Sequence, residues 1–229
     1  MKLDFEVRNV VVTGATGELG EAVARQLLEA GAIVHVPARD AAKAKGLGSR
    51  VHVTGGVDLA EEASVARFYA ALPPLWASIH CAGGFDAAPV DRTSLDALRR
   101  MLDINAVTTF LCCREAIRAM RGRGGRIVNV ASQPGVEPRR GAGMLAYTAS
   151  KAAVAAMTLA LAEEVAADGI WVNAVAPSIM DTAANRKAMP NAEFARWPKL
   201  DEVAATITFL ASPQNAVTRA ALVPVYGKS

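Results

Sequence analysis

A run of β-branched residues, Asn9-Val10-Val11-Val12-Thr13, leads without a break into Thr13-Gly14-Ala15-Thr16-Gly17-Glu18-Leu19-Gly20. The first part reads as a buried strand: it is short, β-branched and bounded by glycine. Glu21 to Ala30 follows as an amphipathic helix with Val23, Leu27 and Leu28 on its apolar side, and Gly31 ends it. Ala32-Ile33-Val34-His35-Val36 is the next strand. Strand, glycine-rich turn, helix, strand is the context a dinucleotide site requires. The glycines let backbone N–H groups approach a pyrophosphate, and the helix N-terminus adds a partial positive charge. An ordinary tight βα turn shares this outline, so the rest of the chain has to decide.

The alternation continues. Strands are expected at Val51-His52-Val53, Trp76 to Cys81, Gly125 to Ser132, Ile170 to Val175 and Ala221 to Val225. Between them lie helical stretches at Ala60 to Leu72, Ser94 to about Arg121, Met144 to Ala167 and Asp201 to Ala211. Asp103 to Thr109 is mixed in character and is expected to bend its helix. Strands and helices alternating in this way predict an α/β fold, a doubly wound parallel sheet of about seven strands with helices on both faces. In such a sheet ligands sit beyond the carboxyl ends of the strands. Gly14 to Gly20, Ala82 to Gly84, Ser132 and Pro177 all fall just after strands and should converge on one cleft. Residues 178–198 form the one irregular segment, of the kind that often serves as a lid.

Length and composition set limits. The 229 residues suit one catalytic domain, 1–229, and a hydrophobic fraction of 52% supports a sizeable core. A net charge of +3 with no long basic run gives no support for nucleic-acid binding. Unbroken apolar runs are too short to span a bilayer, and no signal peptide is visible, so no membrane partner is expected. Cys81, Cys112 and Cys113 make no disulfide framework, and no C-x-x-C or histidine cluster suggests a metal. A reduced, cytoplasmic protein is the expectation. His35, His52 and His80 fall within strands and read as structural; Cys112-Cys113 reads as small apolar filler in a helix.

Tyr147-Thr148-Ala149-Ser150-Lys151 places a tyrosine and a lysine about one turn apart on one face of a helix. An ammonium close to a phenol favours its ionised form, so Tyr147 could exchange a proton with a substrate oxygen near neutral pH. Alone, the pair reads more readily as a buried tyrosine beside a snorkelling lysine.

Taken together, these motifs resemble the short-chain dehydrogenase/reductase family over nearly the whole chain. Tyr147 and Lys151 look like its catalytic pair. Gly-Arg-Ile-Val-Asn-Val-Ala-Ser resembles its fifth strand and makes Ser132 the catalytic serine. Leu102-Asp103-Ile104-Asn105 resembles the segment carrying its active-site asparagine, so Asn105 takes that role. Asn173-Ala174-Val175-Ala176-Pro177 resembles the strand and turn at the nicotinamide end. The resemblance implies hydride transfer between a nicotinamide and a carbonyl or secondary alcohol, a small-molecule substrate of which a 3-oxoacyl thioester is one candidate. It implies coenzyme contacts at Gly14, Thr16, Gly17, Glu18, Leu19, Gly20, Arg39, Asp58, Leu59, Cys81, Ala82, Gly83, Tyr147, Lys151, Pro177, Ser178, Ile179 and Thr182. In the mechanism it implies, Ser132 and Tyr147 act on the carbonyl oxygen, Lys151 lowers the Tyr147 pKa, and Asn105 holds a water linking Lys151 to solvent. A homotetramer or homodimer follows from the same resemblance. A catalytically silent coenzyme-binding sensor on this fold is the alternative.

Coenzyme choice turns on the end of the second strand, Val36-Pro37-Ala38-Arg39-Asp40. By the resemblance, Ala38 fills the position of the NAD-selecting acid, and Arg39 suits a 2′-phosphate. NADP is therefore favoured over NAD. Asp40 and Glu18 weigh against a phosphate, unless Asp40 caps the helix that follows. Glu18 stands where the family's short form has glycine; the resulting glycine spacing resembles the longer sugar-nucleotide branch, which the chain length disfavours. Arg139, Arg140, Arg186 and Lys187 suggest an electropositive mouth suited to acidic or carrier-linked substrates, or else solvated surface charge.

Overall fold

The computed structural model describes residues 3–44 and 50–229. Its strands are β1 (Asn9–Thr13), β2 (Ile33–Pro37), β3 (Val51–Thr54), β4 (Leu75–His80), β5 (Gly125–Val130), β6 (Ile170–Pro177) and β7 (Leu222–Val225). They form one sheet in the order β3-β2-β1-β4-β5-β6-β7, with every neighbouring pair parallel. The chain runs outward from β1 to β3 and then crosses to β4 on the other side of β1. That reversal opens a crevice at the carboxyl ends of β1 and β4.

The helices are α1 (Glu18–Glu29), α2 (Glu62–Ala70), α3 (Leu95–Met101), α4 (Thr108–Met120), α5 (Gln133–Val136), α6 (Leu145–Glu164), α7 (Ala183–Ala188) and α8 (Leu200–Ala211). One apolar core lies between the sheet and α1 and α8, where Val23, Leu27, Val203 and Ile207 meet Val10, Val34 and Ile79. A second lies on the opposite face, where Phe68 of α2 and Leu111, Ile117 and Met120 of α4 meet Val11, Ile127 and Val172. Strands buried on both faces explain the near-continuous Val, Ile and Ala runs of β1 and β6.

Local differences from the expected boundaries have physical causes. α1 starts three residues before Glu21, because the helix begins directly on the turn at Gly17. Gly31 ends it at φ +94, donating its N–H to Leu28. The expected bend between α3 and α4 is a π-helical turn, Leu102–Val107, with Asn105 buried inside it. Such a turn inserts an extra residue and re-aims a side chain, which makes it common at functional sites. α6 is long and apolar enough by composition to cross a membrane, which a search for unbroken apolar runs misses because polar residues interrupt it. It lies on the sheet instead, with Val154, Thr158 and Ala162 fully buried.

Candidate active site

The crevice is a cleft of about 360 Å³, lined by Gly14, Thr16, Gly17, Ala38, Arg39, Asp58, Leu59 and Cys81 to Gly83 among others. Glycine is required at two points of the first turn. Gly14 adopts φ +71, and a Cβ there would stand 2.6 Å from the Ala82 nitrogen. A Cβ on Gly20 would stand 2.3 Å from the Gly14 carbonyl oxygen. Gly17 is the N-cap of α1 and has no side chain to cap it, which leaves the first-turn N–H groups facing the cleft end of the helix without a side-chain partner. Such a cradle fits a dinucleotide pyrophosphate.

Leu19 and Gly20 are buried, Leu19 within the core under α1. The Glu18 side chain lines a separate groove with Glu21, Arg25, Asp181 and Lys199. Arg39 is exposed at the cleft and makes no ion pair among the described residues. Asp40 is engaged: its Oδ1 accepts the Ala42 N–H at 2.9 Å, capping the turn at Ala41–Ala44. Asp58 caps its own loop, accepting the Ala60 N–H at 2.9 Å.

Tyr147 and Lys151 project from α6 toward the end of β5. The Lys151 side chain is buried, and its ammonium donates to the Val130 carbonyl at 2.8 Å. Burial lowers its pKa to about 8, an effect that Cys81 opposes. Burial also raises the Tyr147 pKa, and the neighbouring Ser132 hydroxyl works against that rise. Burial outweighs the Ser132 hydrogen bond, and the Lys151 ammonium, expected from the sequence to lower the Tyr147 pKa, is directed at the Val130 carbonyl. Ser132 stands at the end of β5 as N-cap of α5, its Oγ accepting the Gly135 N–H at 3.2 Å.

Asn105 is fully buried and both polar atoms of its amide are bonded. Its Oδ1 accepts the Gly84 N–H at 3.0 Å, and its Nδ2 donates to the Gly84 carbonyl and the Ser150 hydroxyl, each at 3.0 Å. The side chain braces the turn after β4 against α6. A Cβ on Gly83 would stand 2.6 Å from Asn105 Oδ1 and 3.3 Å from Lys151 Nζ, which fixes glycine there.

Beyond β6, the Ser178 hydroxyl donates to the Tyr226 carbonyl at 2.9 Å, and Ile179 is exposed. Thr182 caps α7, its Oγ1 accepting the Asn185 N–H at 3.1 Å. Pro177 closes β6. The irregular segment is pinned at its base by a bridge between Asp181 and Lys199. Of the four cations expected at the mouth, Arg186 pairs with Asp181 and Arg140 with Glu137. Arg139 and Lys187 make no ion pair among the described residues, so the mouth is less positive than the sequence suggests.

Two features were not anticipated. The Phe85 ring meets the Tyr147 ring edge to face, 4.9 Å between centroids. The Tyr226 hydroxyl donates to Glu137 at 2.9 Å, tying the end of β7 to the loop after Ser132. A bulky apolar residue directly after Gly83-Gly84 was a readable signal for the first. Nothing local marks the second. The histidines lie off the cleft: His35 and His52 stack, 5.2 Å between centroids, on adjacent strands. His80 is buried between Ser78 and Asn129 at 2.8 Å each. Cys112 and Cys113 are buried thiols on α4.

The short chain dehydrogenase family profile matches residues 8–193. The chain belongs to the short-chain dehydrogenase/reductase family. It is 33% identical to a short-chain type dehydrogenase/reductase of Picea abies, over 96% of this chain and 91% of that one. It is 31% identical to a 3-oxoacyl-acyl-carrier-protein reductase of Rickettsia bellii, over 93% of each. A solved structure named as an NAD(P)-dependent gluconate 5-dehydrogenase of Beutenbergia cavernae, with NADP bound at low occupancy, superposes with a TM-score of 0.89 at 29% identity, covering 99% of this chain and 98% of that one. As a short-chain dehydrogenase/reductase, this chain is an NAD(P)-dependent oxidoreductase acting on a small carbonyl or alcohol substrate.

Proposed function

We propose that this dehydrogenase/reductase works through Ser132, Tyr147 and Lys151, with residues 1–229 acting as one catalytic domain and 178–198 as its lid. The observation that carries the reading is the placement of all three side chains at the end of β5, beside a glycine-walled cleft. Bound in that cleft, the nicotinamide coenzyme supplies the hydride for carbonyl reduction or takes it up in the reverse direction. Tyr147 gives its phenolic proton to the carbonyl oxygen as charge develops there, so the carbonyl becomes an alcohol. Burial keeps that phenol protonated at neutral pH, as an acid for reduction requires. Ser132 donates a hydrogen bond to the same oxygen. Lys151 supplies positive charge below the phenol and returns a proton to it; its lowered pKa of about 8 suits that transfer. Asn105 acts by position, holding the Gly83-Gly84 turn and Ser150 in register with Lys151.

Arg39 at the adenosine end of the cleft supports NADP over NAD, and the capping role of Asp40 removes one objection to a phosphate there. The Rickettsia relative's name supports a 3-oxoacyl thioester as one substrate candidate, with Arg139 and Lys187 as the cations left for an acidic tail. Phe110 of α4 and Leu145 and Leu159 of α6 are exposed large apolar side chains on the two long helices, which supports a homodimer or homotetramer built on them. Free, buried thiols suit a reducing, cytoplasmic location.

The test is consumption of NADPH and NADH, followed at the nicotinamide absorbance, against a panel of ketones that includes a 3-oxoacyl thioester. Turnover of at least one, faster with NADPH, is expected. Coenzyme binding without turnover of any would support the silent sensor.

A further inference from the structure

Phe85 is a large apolar side chain left 64% exposed, and its ring meets that of Tyr147 at 75°, edge to face. A single exposed hydrophobic side chain needs no explanation by itself. The position of this one is enforced. Asn105 bonds both backbone groups of the preceding residue, Gly84, and its remaining donor goes to Ser150, between Tyr147 and Lys151 on α6. Two hydrogen bonds of a fully buried asparagine thus hold the turn that delivers Phe85. The segment is fixed a second time by the bridge between Ala88 and Met144, just ahead of α6. Leu145, at the start of α6, and Ile179, after β6 at the same end of the sheet, are also exposed. Of the cations in the flanking loops, Arg140 pairs with Glu137 and Arg186 with Asp181.

We propose that Phe85 forms an apolar wall of the substrate subsite at Tyr147, so that the enzyme prefers ketones or secondary alcohols carrying a flat hydrophobic group, aryl or cyclic, beside the reacting carbon. The inference rests on the reading of Tyr147 as the proton donor. Although it meets the Tyr147 ring, Phe85 remains mostly exposed, which leaves ring surface open to a second ring. Aromatic contact there adds to the gain from area alone, which a linear chain of equal carbon count obtains only in part. The same ring covers part of the Tyr147 ring. A linear 3-oxoacyl thioester becomes the poorer class of substrate.

The experiment compares an aryl ketone and a linear ketone of equal carbon count. In the wild type the ratio of kcat/KM favours the aryl ketone. Phe85→Ala is expected to reduce that ratio about tenfold, the scale of one aromatic contact, and Phe85→Tyr to retain it. An unchanged ratio in Phe85→Ala overturns the proposal. A second readout does not need turnover. The Tyr147 phenol is titrated by its ultraviolet absorbance, isolated by subtracting the matching Tyr147→Phe protein. Tyr69 is held well above the ordinary tyrosine range by burial and Tyr226 at about 12, and the subtraction removes both from the Tyr147 signal. Phe85→Ala should lower the Tyr147 midpoint, because part of the burial that raises it is lost; an unmoved midpoint overturns the contact. Failure of the underlying reading looks different: neither ketone is turned over, although the titration still shifts.

Discussion

The Lys151 ammonium donates to the Val130 carbonyl at 2.8 Å, two residues before Ser132 on the same strand end. This bond ties α6 to β5 at the point where Tyr147 and Ser132 have to meet. It is made by a charge buried away from water, and the protein bears a cost for it in stability.

Lys151→Met tests that cost. The folded pKa of about 8 lies below the ordinary 10.5. Between those values the unfolded chain holds a proton that the folded chain has released, so this site's contribution to stability rises with pH across the window. The wild type should therefore gain on Lys151→Met by roughly 1–3 kcal/mol between pH 7 and pH 10.5. Urea unfolding of both proteins at several pH values measures the difference. Comparing the two proteins cancels the opposing effect of Cys81 and Cys113, whose buried thiols are raised to about 12. A difference that does not change with pH contradicts the burial argument.

The glycines of the first turn should separate by role. Gly14→Ala forces a Cβ against the Ala82 backbone at φ +71 and should destabilise the fold by about 2 kcal/mol or more. Gly17→Ala meets only an ordinary contact, 3.5 Å from the Gly14 oxygen, and should fold within about 1 kcal/mol of the wild type. Its added methyl lines the cleft, so coenzyme affinity should fall. Thermal unfolding with and without NADPH distinguishes the two; equal destabilisation by both would contradict the geometry.

Much of this was legible in the sequence because strand and helix periods are local. The β-branched run at Asn9–Thr13, the glycine turn and the Tyr147/Lys151 spacing each announce an element, and their order places them at one end of a parallel sheet. The bend around Asn105 was visible as a loss of helical pattern, although not as a π turn. What was hidden depends on where side chains go after the chain has folded. Glu18 reads as a coenzyme contact by position, yet it opens onto the groove beside Lys199. Arg186 reads as a free cation until Asp181 is seen to clasp it. The Tyr226–Glu137 bond joins residues 89 apart, and no local pattern encodes it. The rise in the Tyr147 pKa is likewise a consequence of burial, which spacing does not report.

In the proposed reading Arg39 carries the coenzyme preference. It is exposed and lines the cleft with Ala38 and Asp58. Arg39→Ala should weaken NADPH by about tenfold or more, the scale of one charge-assisted contact, and leave NADH nearly unchanged. Dissociation constants by fluorescence titration decide it. Equal weakening of both coenzymes would make Arg39 a surface residue with no part in selection.

The central claim is that Tyr147 is the proton donor at the carbonyl oxygen, and Tyr147→Phe tests it most directly. The ring and its edge contact with Phe85 remain, and only the hydroxyl is lost. With a ketone the wild type reduces, the single-turnover rate at saturating NADPH should fall at least ~100-fold while the NADPH dissociation constant stays nearly the same. A single-turnover rate in Tyr147→Phe close to the wild type's would contradict the account.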